Sequence, residues 1–99
     1  MRFKLRRTIR WLRRRYPTRT PVIVRVAKRL PDLHGICLIG DGRALIRIKE
    51  DQDAIMLETL LEEWCHVLRH DTPLPESGDH DQVFWAIYGA VTNDWRGGT

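Results

Sequence analysis

Glu62, Glu63 and His66 stand close together in the run Leu60-Leu61-Glu62-Glu63-Trp64-Cys65-His66-Val67-Leu68. On an α-helix, at about 100° per residue, Glu62 and His66 lie one turn apart on the same face, with Glu63 beside them. Oxygen and nitrogen donors at that spacing, on a rigid element, suit a metal ion. His80, flanked by Asp79 and Asp81, offers a third donor. The plainer alternative is a solvated helical face, because a Glu–His pair at this spacing contributes only about 0.2–0.5 kcal/mol. Against it, Glu58, Glu62 and Glu63 crowd negative charge together, which destabilises a helix unless a cation compensates. That cation is either a bound metal or the arginine-rich N-terminal arm.

The acidic run must sit on a helix if the spacing is to have this meaning. Leu57, Leu60, Leu61, Trp64 and Leu68 form an apolar stripe nearly opposite Glu62 and His66. The pattern predicts a helix over residues 53–70, capped by Asp51 or Asp53 and stopped by Thr72-Pro73. Residues 71–79 read as an irregular loop. A last helix is expected over 80–93, with Phe84, Tyr88, Val91 and Trp95 as its apolar stripe and His80 at the edge of that stripe. If the two stripes pack together, His66 and His80 face each other. Trp64 and Trp85 are expected in the core or in inter-helix packing, and Cys65 as a small buried hydrophobe; His34 and His70 read as surface residues. The earlier half supplies the platform. A basic amphipathic helix over 2–15 is expected to dock through Phe3, Leu5, Ile9 and Leu12, with Trp11 also apolar, and to end at Tyr16-Pro17. Strands follow at 22–27, 35–39 and 43–49, the last two joined at Gly40-Asp41-Gly42. The expected fold is α+β: an N-terminal helix, a small three-stranded antiparallel sheet, the motif helix and a C-terminal helix, in one domain over 1–99.

Composition narrows the classes. With 99 residues, 42% hydrophobic and 30% charged, the chain reads as a single folded domain. No segment approaches the ~18 consecutive apolar residues of a membrane span. No apolar stretch follows the N-terminal charges as in a signal peptide. Cys37 and Cys65 lack disulfide-framework or metal-finger spacing, so a reducing cytoplasm is expected. The charge is polarised. Residues 1–30 hold twelve Lys or Arg and no acid, while 31–99 hold five against thirteen Asp or Glu, giving the net +4. The arm bearing Arg6, Arg7, Arg10, Arg13, Arg14 and Arg15 could meet DNA or fold back on the acidic half.

The stretches Thr59-Leu60-Leu61-Glu62-Glu63-Trp64-Cys65-His66, Asp79-His80-Asp81 and Phe84-Trp85-Ala86-Ile87-Tyr88-Gly89 resemble the SprT-like zinc metallopeptidases, above all the small bacteriophage-encoded members. The resemblance covers about residues 43–95. It implies a zincin-like minimal core and zinc-assisted hydrolysis of peptide bonds in a protein substrate. Glu63 matches the family's catalytic glutamate, the general base acting on water; His66 and His80 match two histidine ligands. Glu62 stands where the family has its first histidine. Glutamate can ligate zinc, but it lowers the site's positive charge and so its power to acidify water. The resemblance thus implies an active Glu62/His66/His80 site, a site that binds metal with little chemistry, or a relic kept for binding. The rival expectation is a non-catalytic DNA-binding or interaction protein using the arginine-rich helix.

Overall fold

The computed structural model describes residues 1–98. The chain runs α1 (Phe3–Arg15), β1 (Val22–Ala27), β2 (Gly35–Gly40), β3 (Arg43–Lys49), α2 (Asp53–Asp71) and α3 (Gln82–Gly98). Its α+β class is the one expected. In α1, Leu5, Ile9 and Leu12 share one face and are buried with Thr8, whose hydroxyl donates back to the Lys4 carbonyl. Phe3, expected among the docking residues, is 70% exposed because it falls outside that stripe. The helix stops before Pro17 as expected, with Tyr16 N–H closing on Leu12 O at 2.7 Å.

The sheet corrects the expected pairing. Its order is β1-β3-β2, with β2–β3 antiparallel but β1–β3 parallel. The β2–β3 hairpin turns on Asp41 (φ 53°) and Gly42 (φ 75°), the two left-handed positions of a tight turn. Residues 28–34 form a longer connection, which leaves a strand's width between β1 and β2, and β3 fills it. The register aligns Val22, Val24 and Val26 with Ala44, Ile46 and Ile48 on the inner face. Those residues meet Leu60, Leu61, Trp64 and Val67 of α2 in the core.

The expected cap of α2 by Asp51 or Asp53 does not form: Gln52 takes the N-cap position with no side-chain cap, and Asp51 accepts only from the neighbouring Gln52 N–H, at 2.7 Å. The far end of α2 is tied to the chain after α1, where Asp71 accepts from Arg19 N, Thr20 N and Thr20 Oγ1 at 2.7, 3.2 and 2.6 Å. Trp64 is buried as expected and donates its indole N–H to Tyr16 O at 3.0 Å. Cys65 is buried, while His34 and His70 are exposed. α3 starts two residues later than expected and continues to Gly98. Trp85 is 52% exposed rather than in the core, since α3 turns Phe84 inward instead.

α2 lies close on β2 at Gly35. A methyl group there would collide with Thr59 Cγ2, which is fixed because Thr59 Oγ1 donates to Ile55 O at 2.7 Å. It would also sit 3.2 Å from Arg47 O and 3.5 Å from Glu63 Cγ. Gly35→Ala is therefore expected to cost about 1–3 kcal/mol in urea unfolding through overpacking. Gly40→Ala, with open space around it, is the control and should stay within about 0.5 kcal/mol of the parent.

Candidate metal centre

Packing of α2 against α3 brings together the three donors singled out from sequence. His66 Nε2 and His80 Nε2 are 3.2 Å apart, and one donor atom from each of Glu62, His66 and His80 lies within 4.8 Å of the others. A tetrahedral ion with nitrogen bonds of ~2.0–2.1 Å separates its donors by about 3.3 Å, so the two imidazoles stand at coordination distance. The cluster could hold a metal ion, and two nitrogens plus one carboxylate oxygen is a donor set zinc accepts. Fully buried Phe84 backs both rings, with centroids 4.6 Å from His66 and 4.5 Å from His80. Trp85 covers His80 from outside at 5.2 Å. Burial, with His80 as a second cause, pulls the His66 pKa below its ordinary value; Glu62, Asp79 and Glu76 oppose the shift. That favours the neutral imidazole that ligates metal.

Glu63 points the other way, toward β2. It is only 7% exposed, and its carboxylate has no hydrogen-bond partner among the described residues. Burial, reinforced by neighbouring Glu62, raises its pKa to about 7. Two clefts meet at this side chain. One, of about 500 Å³, reaches past Glu62 and Tyr88 to the residues before β2. The other, of about 320 Å³, passes His66, Cys37 and Asp79. A carboxylate poised near neutrality, open to clefts on both sides and adjoining the donors, is suited to taking a proton from water.

The raised pKa has a consequence for stability. Unfolded, Glu63 loses its proton near the ordinary value of 4.5; folded, it keeps it to about 7. Between those values the folded state binds more protons, so the metal-free protein loses stability as pH rises through this window. The contribution is on the order of 3 kcal/mol. In urea unfolding of chelator-treated protein at about pH 5 and about pH 8, Glu63→Gln is expected to lose less stability than the parent.

His80 precedes α3 rather than lying on it, and a buried ion pair holds it there. Arg69, inside α2, donates from Nε to Asp81 Oδ1 at 3.0 Å and from Nη2 to Asp81 Oδ2 at 2.7 Å. The same guanidinium donates to Leu74 O at 3.1 Å and Pro75 O at 2.8 Å. Asp81 also accepts from Ser77 N and caps α3 through Phe84 N at 2.9 Å. The Arg69 guanidinium, with these N–H groups, holds the Asp81 carboxyl well below the usual carboxylate range. Sequence reasoning assigned no role to Arg69. The available signal was a cation four residues after buried Cys65, in line with Leu61.

The arginine arm is an ordered helix, and it divides its charge. Arg15 Nε and Tyr16 OH both donate to Asp94 Oδ2 at 2.7 Å, and Arg13 donates to Val22 O at 3.1 Å. Arg6, Arg7, Arg10 and Arg14 are exposed and pair with no acid among the described residues. Arg2 reaches Asp51 O and Asp53, so the acids it meets lie at the start of α2, not at the Glu62 cluster. No helix among the described residues is long and apolar enough to cross a membrane. Comparison with protein-family models, curated proteins and solved structures returns no match for this chain.

Proposed function

We propose that the chain is a SprT-like metal-dependent peptidase in which Glu62, His66 and His80 hold zinc and Glu63 is the general base. The observation that carries this reading is the 3.2 Å approach of the His66 and His80 Nε2 atoms, with Glu62 in the same cluster. When bound, zinc supplies Lewis acidity that polarises a peptide carbonyl and acidifies water. His66 and His80 contribute neutral nitrogens, and Glu62 contributes an anionic oxygen. Glu63 takes the proton from the attacking water and passes it to the leaving amine. The clefts meeting at Glu63 give an extended peptide room on both sides of that carboxylate.

Glu62 sets the level of activity. Its negative charge offsets part of the dication, so Glu62→His should bind zinc more tightly and cleave faster. The test is cleavage of an unstructured protein by zinc-supplemented parent and Glu62→His. Cleavage that rises in the variant supports the reading; no cleavage by either removes the peptidase function.

A second reading, DNA binding through α1, is favoured by one observation: Arg6, Arg7, Arg10 and Arg14 are exposed on an ordered helix and lack acidic partners. It is compatible with the first, because Arg6 and Arg10 line a hollow with Val24 of β1, at the opposite edge of the sheet from β2.

A further inference from the structure

We propose that the outer face of the sheet, through Arg25, Arg43 and Arg47, docks on the phosphate backbone of duplex DNA, continuing the α1 surface; this rests on the DNA-binding reading. The register carries the argument. Arg25 stands directly opposite Arg47 across the parallel β1–β3 pair, so both project from the same face. Arg43 and Lys49 lie on that face too, at the two-residue period of β3. Like charges directly opposite each other destabilise a sheet. Yet Arg25, Arg43 and Arg47 are exposed, and none pairs with an acid among the described residues. β1, β2 and β3 place no Asp or Glu on either face.

Among the described residues, Arg25, Arg43 and Arg47 are left exposed. α2 is the helix that packs on the sheet, and it does so on the opposite, inner face. The cationic surface also continues sideways. Arg13 reaches the Val22 carbonyl at the free edge of β1, and Arg6 and Arg10 line a hollow with Val24. Val24 belongs to the inner face, so it is Arg13, at the free edge of β1, that stands between the α1 arginines and the outer face. From Arg43 to Lys49, β3 extends about 20 Å, a span over which duplex DNA presents roughly twelve phosphates. A face of one sign, long relative to its width, matches a polyanion; Ile23 and Leu38 beside the arginines add apolar contact for sugars.

The test is fluorescence anisotropy with a labelled DNA duplex, titrated at about 50–200 mM salt. Each phosphate contact contributes about −0.9 to the slope of log affinity against log salt. The triple variant Arg25→Ala/Arg43→Ala/Arg47→Ala should make that slope less negative by about 3 and weaken binding about 10-fold or more. The corresponding triple Lys variant should keep the parent slope, which separates lost charge from lost folding. If the Ala variant keeps the parent slope while Arg6→Ala/Arg7→Ala/Arg10→Ala loses it, the sheet is not the docking face and the α1 reading stands alone. No binding by the parent at low salt overturns both. Tighter binding to phosphatidylserine vesicles than to the duplex, or equal binding to polyglutamate, overturns the assignment to DNA.

Discussion

Glu63→Gln is expected to lower zinc-dependent peptide cleavage by about 10²–10⁴-fold while leaving bound zinc unchanged. The amide matches the carboxyl in size, so the packing beside Gly35 survives. It cannot take a proton from water, which is the role proposed for Glu63. Glu63 is turned toward β2, outside the Glu62/His66/His80 cluster, so its loss removes no donor. Burial holds the parent carboxyl at about 7, and cleavage should therefore fall as pH drops below that value. The checks are the cleavage rate against pH and zinc content by elemental analysis. Loss of zinc in Glu63→Gln would move Glu63 from base to ligand.

Asp81→Ala is expected to weaken zinc binding about 10- to 100-fold, although Asp81 is not a donor, and to lower the thermal midpoint markedly. Asp81 holds Arg69, Ser77 N and the first turn of α3, and His80 is its chain neighbour. Removing the carboxylate leaves the Arg69 guanidinium buried with carbonyl partners alone and frees the segment that presents His80. Asp79→Ala is the control, since Asp79 is exposed and makes no hydrogen bond among the described residues. Zinc competition with a chromophoric chelator, followed for both variants, separates the two aspartates. Equal affinity in both variants would deny Asp81 a positioning role.

The legible parts of this fold are those written in local chemistry. Tyr16-Pro17 marks the end of α1, Asp41-Gly42 marks the hairpin, and the Leu60–Leu68 stripe marks α2. From the helix stripes alone, His66 and His80 are expected to meet, and they do, at 3.2 Å. The parallel pairing of β1 with β3 is not legible, because inner-face alternation is the same whichever neighbour a strand takes. The burial of Glu63 departs from the expected polar patch shared with Glu62 and His66. It lies three residues after Leu60 and four before Val67, both buried, so helical periodicity turns it inward. The Arg69–Asp81 pair joins residues twelve apart across an irregular loop, and no helical period relates them. Trp85 shows the opposite failure: its size suggests the core, but beside Phe84 on α3 it falls on the outer face, against His80.

Elemental analysis of protein purified without chelator or metal-affinity tag shows whether Glu62, His66 and His80 hold zinc. About one zinc per chain is expected in the parent and in Glu63→Gln, and none in the His66→Ala/His80→Ala double variant. Absence of zinc from the parent, with Glu62→His still binding none when zinc is added, would contradict that assignment and return Glu62 and its neighbours to the solvated surface.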